Sequence, residues 1–175
     1  AQVLKFTSEG VTLQWGKNKA LIFIMATGIV VRTLAPLLKD KKTDPAVVVL
    51  DEKGEYVISL LGGHLGGANA LAKEIAGHLG SHAVITTASD VQGKTALDLW
   101  AAQNDLYVED YVGLKKLSTK IVNGQKIKVR LEVPADEKNL PKEFEIVGPN
   151  KKVDMVITNK LLNEKALFLR PANLF

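Results

Sequence analysis

The chain has 175 residues, of which 46% are hydrophobic and 24% charged, and these values exclude wholesale disorder and a fibrous fold. It contains no cysteine, which excludes a disulfide framework, a thiolate zinc site, an iron–sulfur cluster and a cysteine nucleophile, and fits a reducing, cytoplasmic location. The net charge of +4 is spread over both halves without a dense basic tract, so we expect a small anionic ligand and no nucleic-acid partner.

The longest strongly apolar run, residues 20–31, is too short for a membrane span, because crossing a bilayer takes about 20 residues. It lies inside the chain and no cleavage pattern follows it, so it is not a signal peptide. We therefore expect no membrane partner.

Residues 1–90 alternate apolar runs with helical patterns. Residues 20–26 (ALIFIMA) form a continuous apolar run, which predicts a strand buried on both faces. Thr27 is a candidate N-cap for the helix that follows, and Pro36 predicts a kink or an early end of that helix. Residues 45–50 (PAVVVL) predict a second buried strand.

Gly54 lies in a tight connection over residues 51–55 that leads to a third strand, residues 56–61, paired antiparallel with the second. From Ala68 the apolar positions share one helical face, and Gly80 stands where a glycine C-cap is expected. Residues 83–88 predict a fourth strand. The alternation indicates an α/β fold with a mixed, mostly parallel sheet and flanking helices.

Residues 91–175 are less regular and predict a smaller α+β second unit, with a boundary near residues 90–94. The patterns predict helices over residues 96–103 and 110–121, a turn at Asn123-Gly124, and strands over residues 126–132, 153–158 and 166–169. A polar stretch containing prolines separates the first two of these strands.

The local feature with the clearest chemical potential is Gly62-Gly63-His64-Leu65-Gly66-Gly67-Ala68-Asn69, placed between a strand and a helix. Glycines let the backbone approach a ligand, and a helix N-terminus presents N–H groups that stabilise a carboxylate or phosphate. The spacing fits neither the P-loop nor the dinucleotide fingerprint. The alternative is a tight turn with close packing and no ligand.

Five residues are candidates for individual roles. Thr27 and Gly28 follow a strand end and could donate to a ligand oxygen, and Arg32 could clamp a carboxylate, although a capped helix with a solvated arginine is an equal alternative. His64 could act as a general acid or base near neutral pH. Asp44 is a candidate catalytic carboxylate, but Asp before Pro more commonly forms a turn.

No metal site is predicted, because the three histidines lack ligand spacing and no carboxylate pattern completes a zinc site. His78 and His82 are predicted to be exposed residues or helix-capping residues. Asp51 is predicted to be either a hairpin-turn residue or a strand-end carboxylate in the same layer as Asp44. The sequence contains no Gly-x-Ser-x-Gly elbow, so it does not predict a Ser-His-Asp hydrolase triad.

Several blocks of the sequence, in this order and spacing, resemble the CbiG-type cobalt-precorrin 5A hydrolase family of anaerobic cobalamin (vitamin B12) biosynthesis. They are residues 22–32 (IFIMATGIVVR), 42–49 (KTDPAVVV), 62–69 (GGHLGGAN) and 86–90 (TTASD). Residues 1–90 resemble the family's N-terminal domain and residues 91–175 its central region. Members of this family usually begin with a further strand and helix and end with a C-terminal domain. The resemblance implies that this chain lacks both parts.

The resemblance implies a hydrolase that opens the δ-lactone of a cobalt corrinoid, a modified tetrapyrrole, with loss of acetaldehyde to give cobalt-precorrin 5B. The anionic corrinoid would be the partner, and no cofactor is implied because cobalt arrives inside the substrate. An oligomer and contacts with other enzymes of the pathway stay open. Two alternatives are a non-catalytic corrinoid-binding module and an assembly subunit.

The chemistry of the matched positions assigns roles. His64 would be the base or proton shuttle, with Asp44 as a second catalytic candidate. Backbone N–H groups of the loop would hold carboxylates or an oxyanion. The expected substrate-binding residues are Thr27, Gly28, Arg32, Gly62, Gly63, Gly66, Gly67 and Asn69.

Overall fold

The computed structural model describes residues 3–41, 43–134 and 140–172. The chain divides into two compact units, Ala1–Thr86 and Thr87–Phe175. The elements of the first unit are α1 (Ser8–Gln14), β1 (Ala20–Ile24), α2 (Thr27–Leu34), a 3₁₀ turn (Ala35–Leu37), β2 (Ala46–Leu50), β3 (Tyr56–Leu61), α3 (Ala68–Leu79) and β4 (His82–Val84).

The first unit is built on a four-stranded sheet of order β1-β2-β3-β4. As predicted, β2 is buried along its whole length and β3 pairs with it antiparallel, whereas β1–β2 and β3–β4 pairs are parallel. One face, with Val48 and Leu50, packs on α3, and the other, with Val47 and Val49, packs on α2. The predicted mixed, mostly parallel sheet between helices is confirmed.

The prediction that the first strand is buried on both faces is wrong. β1 is the edge strand, and Ile22 and Ile24 on its α3 side are 51% and 65% exposed. The cause is the position of α3, which packs on β2, β3 and β4. A continuous apolar run therefore does not distinguish a central strand from an edge strand.

Three local predictions at element ends have different outcomes. Pro36 does stop α2, which ends at Leu34 and continues only as a 3₁₀ turn. The N-cap of α2 is Ala26 and not Thr27, so no side chain caps this helix. The fourth strand covers only His82–Val84, because the chain then turns and Thr87 becomes the residue before the next helix.

The second unit contains a five-stranded sheet of order β5-β9-β8-β6-β7. Its elements are α4 (Ala88–Val91), α5 (Leu97–Gln103), β5 (Leu106–Val108), α6 (Tyr111–Val122), β6 (Ile127–Leu131), β7 (Phe144–Ile146), β8 (Met155–Ile157) and β9 (Leu167–Pro171). All pairs except β5–β9 are parallel. Leu97 of α5 and Ile121 of α6 pack on one sheet face in a buried core with Val129.

Two three-residue strands of the second unit, β5 and β7, were not predicted from the sequence. β5 is separated from the end of α5 by two residues, and β7 lies in the polar stretch between two of the predicted strands. β8 is equally short but was predicted, because it lies in a longer, largely apolar run over residues 153–158, which β5 and β7 lack. The two predicted helices, the turn at Gly124 (φ +77°) and the three predicted strands, now β6, β8 and β9, are confirmed within a few residues.

Candidate functional site

The glycine-rich loop connects β3 to α3, as the sequence predicted. Gly62 has a φ of +68°, and a Cβ on it would lie 3.1 Å from the Cα of Ala46 on the neighbouring strand. Gly67 has a φ of +85° and is the N-cap of α3. Both positions need glycine, since other residues rarely adopt this left-handed backbone.

The other two glycines are required by close packing. A Cβ on Gly63 would lie 2.8 Å from Oδ1 of Asn69, and one on Gly66 would lie 2.7 Å from the carbonyl oxygen of Gly62. Asn69 is only 5% exposed, and its Oδ1 accepts a hydrogen bond of 2.6 Å from the hydroxyl of Ser59. Asn69 therefore lies beneath the loop and supports it from below.

Hydrogen bonds close the loop on the start of α3. The N–H groups of Ala68 and Asn69 donate to the carbonyls of Gly62 and Gly63 at 3.0 and 3.1 Å, and the N–H of Gly67 donates to the carbonyl of His64 at 2.9 Å. The N–H of Gly67, which the sequence suggested for a ligand, is thus already used inside the loop. His64 is half-buried.

Asp44 lies beside the loop and holds a turn. Its two carboxylate oxygens accept the backbone N–H of Lys39 at 3.0 and 3.3 Å, and its own N–H donates to the carbonyl of Asp40 at 2.8 Å. This is the turn role that is the commoner one for Asp before Pro. Lys42 of the same motif lies outside the described residues.

A shallow cavity of about 190 Å³ brings this turn and the glycine loop together. It is lined by Leu38, Lys39, Asp40, Lys41, Asp44, Leu61 and Gly62. The wall carries two lysines and two aspartates beside apolar surface from the end of β3. Such a wall can accept part of an amphipathic ligand that carries carboxylates, with the ammonium groups as their partners.

Thr27 and Gly28 lie at the opposite end of the sheet from the loop. Ile24 at the end of β1 is paired with Leu50, whereas Leu61 at the end of β3 is paired with Val47, near the start of β2. The ends of β2 are about 13 Å apart, at 3.3 Å per residue. Asp44 and the glycine loop therefore lie at one end of the sheet, and the turn at Thr27 lies at the other end. The roles of Thr27, Gly28 and the exposed Arg32 in binding stay predictions.

Asp51 is a turn residue. Its carboxylate accepts the backbone N–H groups of Tyr56 at 2.7 Å and Lys53 at 2.9 Å. The hydrogen bond from Tyr56 is the main reason why the pKa of Asp51 lies below its ordinary value. His82 begins β4 and its ring lies 5.7 Å from that of Tyr56. Across residues 3–41, 43–134 and 140–172, no three His, Asp or Glu side chains are grouped as metal ligands would be.

Ser59 is the site residue that sequence reasoning missed. It is the one polar residue in the strand YVISLL, and it supports Asn69 from the middle of β3. A hydroxyl inside an apolar strand, ten residues before an asparagine, was the available signal. None of the helices described is long and apolar enough to cross a membrane.

Two family models match this chain. "Cobalamin synthesis G N-terminal" matches residues 9–90, and "Cobalamin biosynthesis central region" matches residues 95–171. The structure of a cobalamin biosynthesis protein G homolog from Sulfolobus solfataricus is similar over 92% of this chain and 48% of that chain, with a TM-score of 0.55 and 25% identity.

Two curated relatives are named cobalt-precorrin-5A hydrolase. The one from Priestia megaterium is 52% identical over 111 residues, which are 63% of this chain and 30% of that protein. The one from Salmonella typhimurium is 54% identical over 109 residues, 62% of this chain and 31% of that protein. These matches span about a third of the length of the relatives. With both models in sequence order over nearly the whole chain, the chain belongs to the cobalamin biosynthesis G family and carries its N-terminal and central regions.

Proposed function

We propose that this chain acts on cobalt-precorrin 5A as a hydrolase, opening the δ-lactone of the corrinoid with loss of acetaldehyde. The observation that carries the proposal is the identity above 50% to two relatives that are named cobalt-precorrin-5A hydrolase. Those names favour a hydrolase over a non-catalytic binding module or an assembly subunit. Cobalt comes with the substrate, so the proposal needs no cofactor from the protein.

The glycine loop and the cavity beside it are the proposed place of binding. The loop is rigid, because its glycines pack against Ala46 and Asn69 and its carbonyls are bonded to the start of α3. Rigid backbone at a helix N-terminus favours negative charge without having to rearrange. The side-chain carboxylates of the corrinoid would meet Lys39 and Lys41 at the cavity wall.

His64 is the proposed base. Opening a lactone requires a proton to leave the attacking water and a proton to reach the departing ring oxygen. An imidazole can do both near neutral pH, because its ordinary pKa lies close to 6.5. The positive end of α3, next to His64, would stabilise the negative charge that forms on the lactone carbonyl oxygen. The alcohol released by hydrolysis then becomes acetaldehyde: its hydroxyl gives up a proton, the bond from its carbon to the macrocycle breaks, and the macrocycle takes the electron pair and a proton. Asp44, which fixes the adjoining turn, is the second proposed catalytic residue.

Mass spectrometry of cobalt-precorrin 5A after incubation with the chain tests the proposal, with acetaldehyde trapped in parallel. We expect the two-carbon unit to disappear from the corrinoid and acetaldehyde to appear in equal amount. Corrinoid that binds but stays unchanged would replace the proposal with the binding-module alternative. Absence of any corrinoid binding would favour the assembly-subunit alternative.

His64→Ala tests the assignment of the base. We expect turnover to fall by about 100-fold or more, the usual contribution of a positioned general base, with little change in binding. His78→Ala is the matched control, since His78 lies in the last turn of α3 and outside the loop. Turnover by His64→Ala equal to that of His78→Ala would remove His64 from the mechanism.

A further inference from the structure

The sheet of the second unit has a topological switch point, where the connections from two neighbouring parallel strands run in opposite directions. β6 and β8 are parallel neighbours in the sheet; the chain leaves β6 toward β7 on one side and leaves β8 toward β9 on the other. In open α/β sheets, ligands bind outside the carboxyl ends of two such strands, where the connections diverge. The residues there are Glu132, directly after β6, and Thr158, directly after β8.

Charged and polar side chains occupy this point. The Thr158 hydroxyl donates to one carboxylate oxygen of Glu132 at 3.0 Å, and Nε of Arg130 donates to the other at 2.9 Å. Arg130 is 8% exposed, and Thr158 is fully buried. Ile127 and Val129 of β6 belong to the core beneath α6, so Arg130 lies on the opposite face of the sheet, away from the helices.

The guanidinium of Arg130 holds a second carboxylate in a fork. Its two terminal nitrogens donate to the two oxygens of Glu164, one of them at 3.3 Å. This bidentate geometry is the one in which arginine recognises a carboxylate most specifically. Arg130 is fixed by its strand and by Glu132, and it is thus presented ready-made to a carboxylate.

Glu164 differs from Glu132 in how it is held. It lies in the segment between β8 and β9 that has no helix or strand, and its side chain is 33% exposed, against 19% for Glu132. Leu161 of the same segment is 93% exposed. Glu164 can therefore leave Arg130 by a loop movement, whereas Glu132 is tied to Thr158 as well.

We propose that Arg130 is a binding residue for a ligand carboxylate, and that Glu164 takes the place of this carboxylate until the ligand enters. The ligand class follows from the proposed function, on which this inference rests: a corrinoid whose side chains end in carboxylates. Net charge is conserved in the exchange, since one carboxylate replaces another on the same guanidinium. The buried Arg130 is never left unpaired, which would be costly.

Equilibrium dialysis of the whole chain against two probes tests the inference. One probe is a cobalt corrinoid with free side-chain carboxylates, and the other is the same macrocycle with these groups converted to amides. Glu164→Gln removes the internal competitor, so we expect about fivefold tighter binding of the carboxylate probe or more, and no change for the amide probe. Arg130→Lys keeps the charge but loses the fork, and we expect it to weaken binding of the carboxylate probe about tenfold.

Glu145→Gln is the matched control, because it removes the same charge from an exposed position on β7 of the same sheet. Equal affinity of the Glu164→Gln and Glu145→Gln variants for the carboxylate probe would overturn the inference and leave the proposed function standing. Absence of binding of both probes to the unmodified chain would overturn both. Glu164 lies at the surface, so its variant keeps the test valid even where Arg130→Lys fails to fold.

Discussion

At Gly63 a single methyl group decides whether the loop can close. A Cβ there would meet both polar atoms of the Asn69 side chain, at 2.8 and 3.1 Å. Asn69 cannot move away easily, because it is buried and bonded to Ser59. At the scale of single residues, the candidate site is thus a stack in which β3 supports Asn69 and Asn69 supports the loop.

Ser59→Ala tests this stack. The change removes the hydroxyl that donates to Oδ1 of the buried Asn69, and we expect the free energy of unfolding to fall by about 1 kcal/mol. Urea denaturation measures it. In Ser118→Ala, the control, the lost hydroxyl bonds only to a carbonyl of its own helix, so we expect a clearly smaller effect. Equal effects of the two variants would contradict the support role.

At the scale of elements, Asp154 joins a helix to a sheet in the second unit. Its carboxylate accepts Nζ of Lys120 on α6 at 2.8 Å and the backbone N–H of Lys128 on β6 at 2.9 Å. Burial alone would raise the pKa of Asp154, but these two hydrogen bonds and the charge of Lys120 hold it below its ordinary value. The interaction therefore stabilises the folded chain in the ionised form of Asp154.

The sign of its pH dependence follows. The pKa is lower in the folded chain than in the unfolded one, so the stabilisation is complete above the unfolded value, about 4, and is lost as pH falls through the folded value. We expect Asp154→Asn to lower the free energy of unfolding by about 1 kcal/mol at pH 7, a modest figure because Lys120 is 43% exposed and water screens its charge.

Denaturation at a series of pH values checks this expectation. The difference between Asp154→Asn and the unmodified chain should shrink between pH 5 and pH 3. Glu145→Gln, the same kind of charge removal on an exposed strand, should show little difference at any of these values. A deficit of Asp154→Asn that stays constant down to pH 3 would mean that its charge is not what stabilises the fold.

Much of the element order was predictable because long elements carry their own periodic signal. The helix from Ala68 to the Gly80 cap and the buried β2 are examples. The exposure of Ile22 and Ile24 was not predictable, since it depends on which strands α3 covers. The strands β5 and β7 were missed because one is separated from a helix by only two residues and the other lies in a polar stretch, so neither forms a separate apolar run.

The candidate site was predictable in part for a related reason. A run of glycines between a strand and a helix identified the loop, but the direction of the strands decided what stands beside it. Because β3 runs against β2, the loop lies near Asp44 and not near Thr27. Likewise, only packing reveals that Asn69 lies beneath the loop.

At the scale of the whole molecule, we propose that a corrinoid binds at the glycine loop of the first unit. Two Gly→Ala substitutions, one in this loop and one outside it, can test this proposal. Gly63→Ala places a methyl against Asn69, whereas the methyl of Gly77→Ala, in the last turn of α3, meets no atom within 4 Å outside its own helix, and alanine suits a helix better than glycine does. Each variant adds one methyl group, inside the loop in the first and outside it in the second.

The most direct measurement is the binding and turnover of cobalt-precorrin 5A by the unmodified chain and these two variants, each confirmed as folded by circular dichroism. We expect Gly77→Ala to match the unmodified chain and Gly63→Ala to lose at least tenfold in affinity, about 1.4 kcal/mol, with a corresponding loss of acetaldehyde release. Folded Gly63→Ala that binds and turns over the corrinoid as Gly77→Ala does would contradict the claim that the loop is the site.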